Sequence, residues 1–347
     1  MINNTLLYKT AKGINTKKTP IWFMRQAGRY LPLYKQHKTK HHNLINMFYS
    51  IKDVVNITLL PFKYFDLDAA IIFSDILLIP DAMGASVQFK EKVGPVLKEE
   101  KIAKLINCNH VQTIKKLKNV YKSIQQTRQK LNTSKSLIGF VGAPWTLLCY
   151  MLGNNQKNIQ NKLKSLNKHP KQDIDCLIGV LTSLVSKHLI QQIRSGADIV
   201  QIFDSFAPHT NHQQFVNYCL LPAYQIVSEV RKQCPNIPII YFCNQLNHND
   251  TKTIVEMVRP DVMSIGSNVD NQWAAQELPA TIQGNLDPIL MAKNKHQALS
   301  ATQKILHLYK NRAHIFNLGH GVLPYTPIEN VEAVINYIRT HDSKRKQ

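Results

Sequence analysis

The stretch IDCLIGVLTSLVSKHLIQQIRSG, residues 174–196, runs directly into ADIVQIFDS, residues 197–205, and the change of rhythm at the junction decides the fold. The first part is amphipathic at helical spacing and ends on a glycine, the residue that most readily takes the turn after a helix. The second is a short apolar run closing on Asp204-Ser205, which suits a strand buried on both faces. The same kind of run recurs outward along the chain, as IWFM (21–24), DAAIIFSD (68–75), SLIGFVGAP (136–144), IPIIYF (237–242), DVMSIGS (261–267), ATIQGN (280–285) and HIFNLGHG (314–321). Longer amphipathic stretches separate most of them. Strand alternating with helix throughout means a parallel sheet. Seven or eight such units in one chain favour an α/β fold of the (β/α)8 TIM-barrel type. An open doubly wound sheet is disfavoured, because no G-x-G-x-x-G follows a strand. With no Pro/Gly/Ser-rich linker, internal repeat or low-complexity break, residues 1–347 are expected to form a single domain, with residues 1–19 and 338–347 extended.

Bulk composition restricts the function classes. At 44% hydrophobic and 19% charged residues the chain is an ordinary globular one. The balance of 43 Lys+Arg against 22 Asp+Glu gives +21, a charge compatible with nucleic acid, an anionic surface or a polyanionic small molecule. The surplus is diffuse lysine, as in KKLKNVYKSIQQTRQK (115–130), which reads as solvated helix faces; no basic stripe with interleaved aromatics argues for nucleic acid. Cys108, Cys149, Cys176, Cys219, Cys234 and Cys243 are spread without any C-x-x-C, so neither a disulfide framework nor a zinc site is expected. The N-terminus has no apolar leader core, and the run AAIIFSDILLIP is broken by Asp75. These features predict a cytoplasmic protein with no membrane insertion.

In a barrel of this kind chemistry belongs at the C-terminal ends of the strands. There the sequence places Asp75, Pro144-Trp145, Asp204-Ser205, Asn285 and His320. Any one of them could be a helix cap or a turn residue, but five strand ends closing on such residues predict a lined pocket. PIWFMRQAGRYLP (20–32) adds two arginines four residues apart. Positions i and i+4 lie about 40° apart on a helix and on one face of a strand, so Arg25 and Arg29 are expected to aim together. Guanidinium groups match carboxylates or phosphates bidentately, and Gly28 permits a sharp turn or a close approach. Pairing with internal carboxylates is the alternative.

Taken in order, PIWFMRQAGRYLP, IIFSDIL (71–77), GFVGAPWTLLCYML (139–152), QIFDSFA (201–207), IQGNLDP (282–288) and NLGHGVLPYTPIENVEAVI (317–335) resemble the uroporphyrinogen decarboxylase family of the haem pathway. The resemblance spans about Pro20 to Ile335. It implies a TIM barrel, usually a homodimer, that converts the four acetates of uroporphyrinogen III to methyls, giving coproporphyrinogen III and CO2 without a metal or organic cofactor. It implies that Asp75 accepts hydrogen bonds from the pyrrole N–H groups and stabilises a cationic intermediate, while Arg25 and Arg29 bind substrate carboxylates. Water or Arg25 is left to carry the proton. Tyr150 and Ser205 resemble the family's carboxylate-binding residues, and His320 resembles its propionate-contacting histidine. Gln26, Ile71 and Phe203 are expected to line the same cleft, and Asp204 to serve as a structural cap.

Departures fall in the loops. Leu33 and Lys35 replace a usual Glu and Arg, and Lys38 falls near a position often held by an arginine. Gly266-Ser267 stand for Asp-Trp, Pro208 replaces a Gly, and YFCNQLN (241–247) lacks a glycine-rich turn. Corrinoid-dependent methyltransferases share the barrel but bind zinc through His-x-Cys, and no cysteine here has a histidine two residues before it. A non-catalytic tetrapyrrole or nucleic-acid binder remains as the reading from a different class.

Overall fold

The computed structural model of the protein describes residues 4–39, 43–90, 94–98, 100–153 and 159–344. Nine strands follow in chain order: β1 (Ala69–Ile71), β2 (Val87–Lys90), β3 (Gly94–Leu97), β4 (Ser136–Gly142), β5 (Ile199–Phe203), β6 (Ile239–Cys243), β7 (Val262–Ile265), β8 (Thr281–Gln283) and β9 (His314–Ile315). Seven of them form one sheet in the order β1-β4-β5-β6-β7-β8-β9, and every neighbouring pair is parallel. The sheet closes through the extended segment at residues 20–24, the eighth stave. On one side Trp22 N–H donates to Phe316 C=O and Phe316 N–H to Pro20 C=O; on the other Asp68 N–H donates to Ile21 C=O. Ile21 N–H in turn donates to the Asp68 carboxylate at 2.7 Å. This is the expected TIM barrel, closed by a stave too irregular to count as a full strand.

Residue parity divides the core in two. Trp22, Met24, Ala69, Ile138, Ile199, Ile240, Phe242, Val262 and Ile315 form the inner cluster. Their alternates, including Ile21, Ala70, Leu137, Val200, Ile202, Tyr241 and Met263, face the helices in the larger one. Both faces of each strand are buried, which is why the strands read as continuous apolar runs. Three polar side chains also point into the barrel. Trp22 Nε1–H donates to Gln283 Oε1 at 2.9 Å, and Gln283 Nε2 donates to Ser264 Oγ at 2.9 Å and Gln201 Oε1 at 3.3 Å.

The helix of the opening stretch spans Lys171–Arg194, burying Leu177, Leu181, Leu184 and Leu189, and Gly196 turns left-handed at φ 111° as its position predicts. Its Gln192 has a specific task. β1 is only three residues long, so Phe140 of β4 extends past its neighbour and the strand's N–H and C=O lack a ladder partner on that side. The Gln192 amide supplies both bonds, accepting from Phe140 N–H and donating to Phe140 C=O at 2.9 Å each. Gly139 leaves the space, since a Cβ there would lie 2.5 Å from Gln192 Oε1.

Both chain ends depart from the extended form expected of them. Leu6–Ala11 is a helix capped by Thr5, and its Leu7 and Ala11 join the inner cluster, plugging the bottom of the barrel. At the other end the helix Ile328–Lys344 continues through residue 338, where Ile338 is fully buried. Asp342 accepts from Thr19 N–H at 2.8 Å, and Arg339 pairs with Asp66 and Asp68. Residues 1–3 and 345–347 lie outside the described residues. The sequence reading also gave no sign of the antiparallel hairpin of β2 and β3, inserted after Asp75. Among the described residues, no helix is long and apolar enough to cross a membrane.

Candidate active site

At the C-terminal end of β1 the chain leaves the sheet through Ile72-Phe73-Ser74 and presents Asp75 at the mouth of the barrel. Asp75 Oδ1 accepts Leu77 N–H at 2.9 Å. The carboxyl keeps a partial opening to solvent but is otherwise walled in by protein. Burial pushes its pKa up to about 6, against the opposing pull of the Leu77 N–H and the Arg25 cation.

Arg25 and Arg29 sit in neither a helix nor a strand, so the geometric premise for their shared side is corrected: they flank a tight turn. Arg25 takes the left-handed conformation at φ 60°, and a Cβ on Gly28 would meet Arg25 C=O at 2.8 Å. Such a conformation costs a non-glycine residue roughly 1–2 kcal/mol and persists only where the surroundings impose it. Here they do. Met24 N–H donates to Asn317 Oδ1 at 3.1 Å, and Val322 N–H donates to Met24 C=O at 2.9 Å. The Gln26 amide accepts from Phe23 N–H and donates to Ala69 C=O. Gln26 is 1% exposed, so it reaches the cleft only through the loop it pins. The Arg25 side chain lies across Gly321, where a Cβ would come within 2.5 Å of Cδ. Both guanidinium groups are exposed, and neither forms an ion pair among the described residues. Two cations with no ion-pair partner among the described residues, one of them within electrostatic reach of the Asp75 carboxyl, are chemically suited to a ligand with several anionic groups.

The other expected residues divide into those at the cleft and those behind it. His320 is half-buried; its Nδ1 accepts Gly321 N–H at 2.6 Å, which leaves Nε2 to carry the proton. Burial, assisted by the Arg25 charge, lowers its pKa to about 4, so it is a neutral donor. Tyr150, on the helix Pro144–Leu152, is half-buried against Phe206, with ring centroids 5.2 Å apart. Burial and the Asp75 charge push its phenol up. Ser205 is exposed just past β5, and Ile71 and Phe203 are the partly exposed last residues of β1 and β5. Phe203 is edge-on to Phe140 and Phe242.

Asp204, Trp145 and Asn285 lie behind this surface. The expected helix-cap role of Asp204 is corrected to that of a buried bracket: it accepts from Thr146 Oγ1–H and from Tyr241 O–H, both at 2.8 Å. Thr146 Oγ1 also accepts Phe206 N–H at 3.2 Å, which ties the turn carrying Ser205 to the helix carrying Tyr150. Trp145 stacks on Tyr218 at 5.3 Å, and Asn285 donates to the carbonyls of Gly266 and Val269.

Sequence reasoning passed over two residues at the site. Asn317 is fully buried, and its Oδ1 accepts both Met24 N–H and Leu318 N–H, which fixes the amide orientation and leaves Nδ2 without a partner. Its parity with Ile315 in HIFNLGHG could have placed it on the inner face at the cleft floor. Tyr34 is the second; its helix, Pro32–Thr39, is too short for periodicity to orient it. The altered Leu33, Lys35 and Lys38 are on the same helix, with Lys35 exposed and Lys38 partly buried. Gly266-Ser267 packs tightly, since a Cβ on Gly319 would lie 2.2 Å from Ser267 Oγ.

The family model for uroporphyrinogen decarboxylase (URO-D) matches residues 3–341. The chain is 38% identical over 334 residues to the uroporphyrinogen decarboxylase of Rickettsia africae, covering 95% of each. It is 40% identical over 337 residues to that of Orientia tsutsugamushi, covering 95% of this chain and 96% of the other. Among solved structures, a methyltransferase from Methanosarcina mazei superposes with a TM-score of 0.73 over 96% of this chain and 97% of its own. At 16% identity that likeness concerns the fold alone. A family match over residues 3–341 and relatives 38% and 40% identical over 95% of the chain lead to one assignment: this chain belongs to the uroporphyrinogen decarboxylase family.

Proposed function

We propose that this protein decarboxylates the four acetate side chains of uroporphyrinogen III, yielding coproporphyrinogen III and four CO2 in porphyrin biosynthesis. The observation that carries the reading is Asp75, held by Leu77 N–H at the barrel mouth beside arginines free to take substrate carboxylates. Arg25 and Arg29 hold acetates by charge-assisted pairs. Protonation of the pyrrole ring creates a cation, and ionised Asp75, accepting the pyrrole N–H groups, stabilises it. The C–C bond to the carboxylate breaks, its electron pair neutralises the ring, and CO2 leaves. A second proton reaches the exocyclic carbon as the ring returns one, so each acetate consumes one proton net and becomes a methyl. Water delivers that proton more readily than Arg25, because a guanidinium gives up its proton only at very high pH. Neutral His320 donates through Nε2 to a propionate, Tyr150 and Ser205 donate to further carboxylates, and Ile71 and Phe203 form apolar walls. Gln26 acts by holding the arginine loop.

We place the enzyme in the cytoplasm as a homodimer, as the family resemblance implies; sedimentation of the purified protein tests the dimer. The deciding experiment is anaerobic incubation of metal-stripped protein with uroporphyrinogen III, followed by oxidation and chromatographic counting of the remaining carboxylates. A ladder from eight to four supports the reading. Folded protein that removes none overturns it in favour of a tetrapyrrole binder.

A further inference from the structure

Tyr34 is 7% exposed, turned inward from the helix Pro32–Thr39, and its ring meets Phe73 edge-on at 5.9 Å and 72°. Phe73 is itself fixed, because its N–H donates to Thr58 Oγ1 at 2.8 Å, and it stands two residues before Asp75. The ring is therefore well placed. The hydroxyl makes no hydrogen bond among the described residues, although it lies within electrostatic reach of both the Arg29 cation and the Asp75 carboxyl. Buried phenols ordinarily find a partner, and a hydroxyl that reaches solvent from a buried ring, within reach of a cation and an anion, is a vacant donor. Arg29 likewise forms no ion pair among the described residues, and a carboxylate can accept from both a guanidinium and a phenol.

We propose that Tyr34 is a substrate-binding residue whose hydroxyl donates to the acetate carboxylate that Arg29 holds, completing a two-residue clamp. Burial raises its pKa, so the phenol stays neutral and acts as a donor throughout the working pH range. The inference rests on the decarboxylase reading of the Asp75 site. It also gives the pocket a way to fix the orientation of an acetate, which a lone guanidinium leaves free to pivot.

The test is a double-mutant cycle of Tyr34→Phe and Arg29→Ala, with uroporphyrinogen III as substrate and Asp75→Asn run in parallel. Tyr34→Phe keeps the contact with Phe73 and removes only the hydroxyl. Loss of a hydrogen bond to a charged group predicts a fall in kcat/KM of roughly tenfold or more, carried by KM, with an unchanged melting temperature and acid limb. Made in the Arg29→Ala background, the same change should cost much less, because the two residues share one carboxylate. A wild-type KM in Tyr34→Phe, or costs that simply add, overturns the clamp. If Asp75→Asn keeps full turnover, the site reading itself fails; if that variant is inactive while Tyr34→Phe is unaffected, only the clamp fails.

Discussion

Asp75 is a carboxyl whose surroundings work against its charge. Its pKa rises from an ordinary value near 4 to about 6, so ionised Asp75 destabilises the folded state wherever the pH exceeds the unfolded value. The group favours folding below about pH 4, and that contribution is lost as pH rises through 6. Asp75→Asn keeps an acceptor for Leu77 N–H and removes the charge. It should therefore raise thermal stability at pH 7, by an amount on the order of 2 kcal/mol that fades towards pH 4, while abolishing most turnover. Calorimetry across that pH range and the carboxylate-counting assay check the two halves. The same carboxyl sets an acid limb near pH 6 in kcat/KM, which should disappear with the residual activity of the Asn variant. Gly321 offers a second test. An added methyl would occupy the path of the Arg25 side chain, so Gly321→Ala should move the guanidinium and lower kcat/KM roughly ten- to a hundredfold with little change in melting temperature. None of this was legible in the sequence beyond the identity of Asp75 and Arg25. A carboxyl's pKa depends on what surrounds it, and those neighbours arrive from other staves.

The helix Lys171–Arg194 and β4 illustrate how elements support the site from behind. Alternation of an amphipathic stretch with an apolar run marked both in the sequence, and Gly196 marked where the helix ends. Gln192 was not marked, because its role depends on β1 ending three residues after it begins. Replacing it with leucine leaves the N–H and C=O of Phe140 buried and unpaired. Gln192→Leu should cost about 2–4 kcal/mol in urea denaturation, with kcat/KM falling because Phe140 packs against Phe203. The arginine turn was harder to read. A four-residue spacing is ambiguous between helix and strand, and the turn observed belongs to neither; Gly28 within it and Asn317 and Gly321 in the loop after β9 impose it. The hairpin of β2 and β3 was not legible, since strands of four residues are too short for a period to stand out.

Across the whole molecule, diffuse positive charge and a compact anionic-ligand site act at different ranges. A surface of +21 raises the local concentration of a substrate with eight carboxylates, and salt screens that attraction before it weakens close pairs in the cleft. Increasing ionic strength from about 20 mM to about 300 mM should therefore lower kcat/KM several-fold and leave kcat nearly unchanged, as steady-state assays in a salt series would measure. The sequence by itself determined the barrel, because strands buried on both faces and one-sided helices must alternate in composition, and it determined the family, because the site residues stand beside recognisable strand ends. Closure was a tertiary matter: a short irregular stave at residues 20–24 joins the ends only when Phe316 and Asp68 flank it. So was the division of Asp75, Ser205 and His320 to the cleft and Asp204, Trp145 and Asn285 to the wall behind. Parity and turn geometry set the direction of a side chain at a strand end, and a single residue of overhang, invisible in the sequence, reverses it.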